Sequence, residues 1–218
     1  TPSRRDGTCH IDIVVSVVAA LKKANAEANI IIRSTVPPGT SKSLGVHFMP
    51  EFLTEANANQ DFRDNPLWIL GALDKKISPI LQQLLTNAKT AGKIASDSLT
   101  TMSPTEAEMV KYVRNCFLSV KVAFFNELYD ACQQHDCDYD AVRLVASADA
   151  RIGSGHTMVP GPDGHRGFGG HCFPKDVAAW RTFNSQEHSI VDAARCRNLE
   201  LDRPEKDWEQ DKGRAVVE

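Results

Sequence analysis

A long helix with a strong start signal is the feature that most constrains how this chain folds. The segment Ser103-Pro104-Thr105-Glu106 is a capping box with proline at the first helical position. Behind it, apolar residues recur at steps of three and four residues, at Met109, Val113, Phe117, Val120, Phe124, Leu128 and Ala131. This spacing predicts an amphipathic helix of about seven turns.

Helical and strand patterns alternate before this helix. Residues 11–26 and 76–88 have helical spacing, and the short apolar runs at 29–35 and 67–70 indicate buried strands, with a further strand near Ile94. This alternation predicts α/β layers around a largely parallel sheet. Residues 1–101 are therefore predicted to form an α/β domain, and residues 102–218 an all-α domain.

The second half carries weaker signals. Asp138 is a predicted N-cap for a shorter helix that ends at Ala148. Residues 151–172 are rich in glycine, proline and histidine, which is typical of a loop. Helical patterns return from Asp176 onward.

Composition narrows the class of protein. The chain has 218 residues, of which 42% are hydrophobic and 24% charged, a mixture typical of a globular protein with a substantial core. Its formal net charge of −3 gives no reason to expect a nucleic acid or an anionic membrane as a partner. We find no apolar run long enough to span a bilayer, so we predict a soluble, cytoplasmic protein.

The cysteines point away from metal and disulfide chemistry. None of the six forms a C-x-x-C pair, so neither a zinc site nor a disulfide framework is predicted. Cys116 and Cys132 lie in helical apolar patterns and are expected in the core. His165 and His171 match no zinc spacing, and no metal is predicted. Only Cys172 lies in a sequence that asks for a chemical explanation.

Cys172 belongs to the segment R-G-F-G-G-H-C-F-P-K-D, which runs from Arg166 to Asp176. Three glycines before the cysteine allow the backbone to approach a ligand closely. Lys175 and a helix that begins after Pro174 both favour the thiolate, which is the reactive form. An incidental cysteine in a glycine-rich turn is the alternative, but the full segment is far more specific.

Polar residues elsewhere suit the same chemistry. Lys111 and Asn115 lie one turn apart on the long helix, off its apolar stripe, either as a solvated pair or as donors to an oxyanion or to sugar hydroxyls. Glu51 and Glu55 are either a surface pair or a source of a general base that acts on a thioester. Thr35 follows a predicted strand, at the kind of position where open α/β sheets bind ligands.

Taken in order, these motifs resemble those of the UDP-glucose/GDP-mannose dehydrogenase family. The matching segments span roughly residues 1 to 200 and include R-S-T-V-P-P-G-T, P-E-F-L-T-E-A, E-A-E-M-V-K-Y-V-R-N, V-P-G-P-D-G and G-F-G-G-H-C-F-P-K-D. The resemblance implies a partial Rossmann-like parallel sheet followed by a helical dimerisation domain built on the long helix. It also implies oxidation of the C6 hydroxymethyl group of a nucleotide sugar, with UDP-glucose as the favoured substrate, by two NAD+ molecules in turn.

The same resemblance implies roles for individual residues. Cys172 forms a thiohemiacetal and then a thioester, while Lys111 stabilises the oxyanion. Asn115 and Asp176 hold the sugar and a water molecule, and Glu51 is the base for hydrolysis. The residues that match NAD-contacting positions are Thr1, Thr35, Glu55 and Lys175. Those that match substrate-contacting positions are Glu51, Phe52, Leu53, Lys111, Asn115, Val159, Pro160, Gly161 and Gly169.

The chain departs from the family pattern at both ends. It contains no G-x-G-x-x-G fingerprint for the NAD diphosphate, and the family's C-terminal domain has no counterpart. We therefore expect a chain truncated at both ends, without the first βαβ unit. Two alternatives to a dehydrogenase stay open. One is a non-catalytic paralogue that dimerises or binds a nucleotide sugar, and the other is a cysteine hydrolase that uses Cys172 with a histidine base.

Overall fold

The computed structural model describes residues 1–54, 57–184, 186–210 and 216–217. Its elements in chain order are β1 (Ser3–Arg4), α1 (Asp12–Ala24), β2 (Ile31–Ile32), α2 (Thr40–Ser43), β3 (His47–Phe48), α3 (Ala58–Arg63), β4 (Trp68–Gly71), α4 (Ile77–Thr90), β5 (Leu99–Met102), α5 (Pro104–Gln134), α6 (Tyr139–Ser147), α7 (Phe173–Phe183), α8 (Ile190–Arg197), a π-helical turn (Asn198–Asp202), a 3-10 helix (Asp207–Gln210) and β6 (Val216–Val217).

These elements form two compact units. The first comprises Thr1 and His10–Lys111, and the second comprises Pro2–Cys9 and Tyr112–Glu218. The division falls inside α5, whereas the domain boundary predicted near residue 101 stays a prediction.

A four-stranded sheet with the order β2-β3-β4-β5 forms the centre of the first unit. β2 and β3 are parallel, as are β4 and β5, but β3 and β4 are antiparallel. A parallel β3–β4 pair would need a crossover helix that packs on the sheet, but α3, the helix between these strands, has no buried residue. The predicted α/β fold is confirmed, and the sheet is mixed because it contains this one antiparallel pair.

β4 shows how the sheet buries both of its faces. Trp68 and Leu70 pack in one apolar cluster with Leu81 of α4, whereas Ile69 packs in another cluster with Val18 of α1. Successive side chains of a strand point to opposite faces, so a continuous apolar run binds a helical layer on each side. The strand predicted from residues 67–70 is confirmed with a shift of one residue.

Two strand positions differ from the sequence patterns. Ile94 is buried in the loop after α4 and lies outside any strand, so the strand predicted near it is wrong; the last strand of the sheet is β5. β3 has only two residues, His47–Phe48, which is too short to produce a periodic signal.

α5 is the predicted long helix, and its apolar stripe faces outward. Val113, Phe117 and Phe124 are 51%, 65% and 59% exposed. The buried side of α5 combines polar or small residues with aromatic ones: Glu108, Lys111, Asn115, Ser119, Ala123 and Asn126 lie there together with Tyr112 and Phe125. A periodic pattern therefore identifies the helix correctly, but it does not reveal which face the chain itself covers.

In the second unit, α6 begins at the predicted cap: Asp138 accepts hydrogen bonds from the backbone N–H groups of Asp140 and Ala141. Cys116 and Cys132 are buried, as the sequence predicts, and burial raises the pKa of Cys116 to about 12. None of the helices among the described residues combines the length and the apolar character needed to cross a membrane.

Replacing Ser103 with alanine tests the capping box. The hydroxyl of Ser103 accepts from the N–H of Glu106 at 3.3 Å, and the Glu106 carboxylate accepts from the N–H of Ser103 at 2.7 Å. We expect Ser103→Ala to lower the free energy of unfolding by about 1 kcal/mol in urea denaturation. Thr105→Ala in the same turn is the control, since its hydroxyl has no hydrogen-bond partner among the described residues. Equal losses from both variants would show that the box does not stabilise α5.

Candidate active site

Cys172 lies directly before α7 and is exposed. The N–H of Asp176 donates to the carbonyl oxygen of Cys172 at 3.1 Å, which is the first turn's hydrogen bond. Pro174 occupies that first turn, where a backbone N–H has no helical partner to lose. Gly170 has φ +68°, a conformation that favours glycine. Cys172 thus lies at a helix N-terminus, where the sequence places it.

A buried carboxylate lies one turn after the cysteine. Asp176 is 1% exposed, forms an ion pair with Lys175, and accepts a hydrogen bond of 2.5 Å from the side-chain amide of Asn115 on α5. Burial alone lowers the pKa of Lys175, but Asp176, with smaller contributions from Cys172 and Cys9, raises it above its usual value. Lys175 therefore remains a cation close to Cys172.

Lys111 is held in the first unit, near the segment after β3. Its Nζ donates to the backbone oxygen of Glu51 at 2.6 Å and lies 5.3 Å from the centre of the Phe52 ring. Lys111 is 5% exposed and Asn115 is 7% exposed. The interpretation of these two residues as a solvated pair is therefore wrong, because both side chains are buried.

The Pro50–Glu55 segment is partly described. Glu51 is exposed, whereas Phe52 and Leu53 are half-buried. All three border a small cavity of about 30 Å³ inside the first unit. The N–H and hydroxyl of Thr54 both donate to Asp61, which holds the segment in place. Glu55, a predicted NAD contact, lies outside the described residues.

Thr35 follows β2 and is buried, and the hydroxyl of Thr1 donates to its carbonyl oxygen. The proline-rich turn that comes next is held by Glu108 of α5. Its carboxylate is fully buried and accepts from the N–H groups of Gly39, at 2.6 Å, and Ser41, at 2.7 Å. Burial raises the pKa of Glu108, and these hydrogen bonds partly oppose the shift.

Val159, Pro160 and Gly161 lie in the loop between α6 and α7, and the Val159–Pro160 peptide bond is cis. The N–H of Gly161 donates to the carbonyl oxygen of His165 at 2.8 Å, which closes a turn. Gly169 follows in the same loop, just before the cysteine. Four predicted substrate residues of the second unit, Val159, Pro160, Gly161 and Gly169, are thus on one continuous loop, whereas Asn115 lies on α5.

The second unit also contains a basic cavity of about 760 Å³ next to Lys175. Its lining includes an apolar part, with Phe168, Pro174, Ala178, Leu199 and Trp208. Six basic residues border it, against two acidic ones, Asp6 and Glu209. The basic residues are Arg4, Arg5, Lys175, Arg181, Arg195 and Lys206.

The predicted site residues are divided between the two units. Thr1, Thr35, Glu51, Phe52, Leu53 and Lys111 belong to the first. Asn115, Val159, Pro160, Gly161, Gly169, Cys172, Lys175 and Asp176 belong to the second. Within the second unit, the structure joins Asn115, Lys175 and Asp176 directly.

Four residues that hold the turn after β2 and the glycine-rich segment before Cys172 are not predicted from the sequence. Glu108 anchors the turn after β2, and Asn126, Asn198 and Arg203 surround the glycine loop. The first two lie in segments that resemble the family, E-A-E-M and F-F-N-E-L, and that is the only signal for them. Asn198 and Arg203 have no motif, because their role comes from packing between distant parts of the chain.

Comparison with known proteins matches this architecture. The family model for the UDP-glucose/GDP-mannose dehydrogenase family, NAD binding domain, matches residues 1–89, and the model for its central domain matches residues 105–199. The UDP-glucose 6-dehydrogenase of Rickettsia conorii is 31% identical over 200 residues, which cover 86% of this chain and 44% of that protein. The enzyme of the same name from Pseudomonas aeruginosa is 31% identical, over 92% of this chain and 48% of that protein.

Solved structures agree. The structure of a UDP-glucose dehydrogenase from the hyperthermophilic archaeon Pyrobaculum islandicum superposes with a TM-score of 0.75 at 29% identity, over 89% of this chain and 47% of that one. The fold is therefore that of the nucleotide-sugar dehydrogenases, in which an NAD-binding domain precedes a central helical domain. The chain belongs to the UDP-glucose/GDP-mannose dehydrogenase family. It spans about half the length of the curated relatives that it matches.

Replacing Glu108 with alanine tests its role as an anchor. The change leaves the buried N–H groups of Gly39 and Ser41 without their acceptor, so we expect the free energy of unfolding to fall by at least about 2 kcal/mol. Denaturation in guanidinium chloride measures the loss. Glu127→Ala, at an exposed glutamate of the same helix, is the control and is expected to change stability by less than about 0.5 kcal/mol. A loss no larger than the control's would contradict the anchoring role.

Proposed function

We propose that this protein oxidises the C6 hydroxymethyl group of a nucleotide sugar, with UDP-glucose as substrate, to the uronic acid. The observation that carries the proposal is the position of Cys172, exposed at the start of α7 and just before Lys175 and Asp176. A soft nucleophile at this position captures an aldehyde intermediate, so that the four-electron oxidation proceeds without releasing it.

The cofactor in this proposal is NAD, because the family model of the NAD binding domain matches residues 1–89. We assign Lys175 to the cofactor, together with Thr1, Thr35 and Glu55. When bound, NAD+ supplies the hydride acceptor for both oxidation steps.

Cys172 has the covalent role in this proposal. Its thiolate adds to the carbonyl carbon of the C6 aldehyde, and the new C–S bond gives a thiohemiacetal. Transfer of the hydride from that carbon to the cofactor's acceptor position, with loss of the hydroxyl proton, leaves a thioester on Cys172. Attack by water then breaks the C–S bond, which releases the carboxylate and regenerates the thiol.

Lys111 and Glu51 are proposed to act on the same intermediates. Lys111 is buried and carries an ammonium group, which suits the stabilisation of a developing oxyanion. Glu51 is exposed, which leaves its side chain accessible to the water that hydrolyses the thioester. Asn115 and Asp176 hold the sugar and that water, while Phe52, Leu53, the Val159–Gly161 segment and Gly169 surround the substrate.

The test uses the full chain with NAD+ and a panel of nucleotide sugars. We expect two NADH for each sugar consumed, with UDP-glucose preferred, and a loss of at least about a thousandfold in turnover for Cys172→Ala, because the covalent intermediate cannot form. Cys137→Ala, at the other exposed cysteine, is the matched control and should retain turnover. Absorbance of NADH measures both.

Three results would contradict the proposal. Unchanged turnover in Cys172→Ala would remove the cysteine from the mechanism. Ester cleavage without nicotinamide would favour a hydrolase. Absence of NADH with the wild-type chain, together with nucleotide-sugar binding measured by calorimetry, would favour the non-catalytic binding module.

We also propose that the protein is a homodimer that packs through the exposed stripe of α5. Val113, Phe117 and Phe124 present a continuous apolar face, and a twofold contact buries the same patch on both protomers. α6 adds exposed apolar side chains at Leu144 and Val145.

Glutamate substitutions in this stripe test the dimer. The double change Phe117→Glu and Phe124→Glu places like charges in the contact, so we expect a dimer-to-monomer shift in light scattering coupled to size exclusion. Leu84→Glu, at an exposed leucine of α4, is the control and should leave the mass unchanged. A wild-type chain that elutes as a monomer contradicts the proposal.

A further inference from the structure

The residues that follow α8 hold the loop that precedes Cys172. Asn198 is 1% exposed, and its side chain makes both possible hydrogen bonds to the backbone of Phe168. Its amide group donates to the carbonyl oxygen of Phe168 at 2.9 Å, and its oxygen accepts from the N–H of Phe168 at 2.8 Å. We refer to residues 166–170 as the cysteine loop.

Arg203 connects the cysteine loop to a second loop. Arg203 is 2% exposed, and its Nη1 donates to Asp163 at 2.6 Å. Its Nε and Nη2 both donate to Asp207, each at 2.7 Å. Asp163 follows the Val159–Gly161 segment, and we refer to residues 159–164 as the substrate loop. One guanidinium group thus fixes the end of the substrate loop.

The same guanidinium group explains a glycine. A Cβ atom on Gly169 would overlap the guanidinium carbon and both terminal nitrogens of Arg203. Similarly, a Cβ atom on Gly167 would overlap the side-chain oxygen of Asn198. At Gly170 nothing lies within 4 Å of that position, so the space there is open. The glycines therefore differ: Gly167 and Gly169 make room for the chain's own side chains, and Gly170 alone faces open space.

We propose that Arg203 is a positioning residue that sets the spacing between the substrate loop and the cysteine loop, and that position 169 must be glycine because Arg203 packs against it. The effect of this spacing on catalysis rests on the proposed function, because that function places the sugar between the two loops. Arginine suits this position because its planar fork donates in several fixed directions at once, which a lysine ammonium group does not reproduce.

Gly169 is required either because Arg203 packs against it or because a ligand approaches its backbone closely. A double-mutant cycle with Gly169→Ala and Arg203→Ala distinguishes these two explanations. Gly169 has no positive φ, so its backbone accepts alanine. We expect Gly169→Ala and Arg203→Ala each to lower kcat/KM by about tenfold or more, the size expected for loss of a buried charge-assisted hydrogen bond. The double variant should be no worse than Arg203→Ala alone, because the overlap is gone. Effects that multiply in the double variant overturn the proposal.

Hydrogen exchange gives a readout that does not require activity. Exchange of the backbone amides in both loops should accelerate in Arg203→Ala and in Gly169→Ala, measured by mass spectrometry on the full chain. Asp163→Asn is a milder variant for the case in which Arg203→Ala does not fold, and it should accelerate exchange in the substrate loop. Arg151→Ala is the matched control, because that arginine pairs with Asp149 at the surface.

NADH formation tests the proposed function, whereas hydrogen exchange tests the positioning role of Arg203, so the two proposals can fail independently. If the wild-type chain forms no NADH but loop exchange follows the expected pattern, the proposed function fails and the positioning role of Arg203 stands. If Arg203→Ala and Asp163→Asn both leave loop exchange at the wild-type rate, the positioning role is wrong whatever the activity.

Discussion

The buried carboxylate of Asp176 is the interaction on which the candidate site depends. A charge removed from water needs partners, and Asp176 has an amide from α5 and an ammonium group from its own helix. The backbone N–H of the same residue holds the carbonyl oxygen of Cys172. One carboxylate therefore joins α5 to the first turn of α7, the turn that follows Cys172.

α5 is organised around this requirement. Its buried polar residues include Glu108 and Asn126, which bind the backbone of loops, and Asn115, which binds Asp176 of α7. Tyr112 and Phe125 are buried beside these polar residues, whereas Val113, Phe117 and Phe124 are exposed. Glu108 and Asn126 are polar because the segments that they contact are loops, whose backbone groups need hydrogen-bond partners.

Local signals predict local structure well in this chain. Ser103 and Glu106 identify the start of α5, Asp138 identifies the start of α6, and the apolar run at residues 67–70 identifies β4. These signals work because capping and side-chain alternation involve neighbouring residues. The inward face of α5 and the anchoring residue Glu108 are not predicted, since they depend on contacts between residues far apart in the chain. A two-residue strand such as β3 leaves no pattern at all.

The unequal exposure of the cysteines has a consequence for oxidative damage. Cys116 and Cys132 are buried, whereas Cys172 is exposed beside a cation. Peroxide reaches an accessible thiol first and converts it to a sulfenic acid and then to irreversible acids. A preparation aged in air therefore becomes chemically heterogeneous at its two exposed thiols, Cys172 and Cys137, while its core stays intact, and thermal stability alone is a poor measure of its quality.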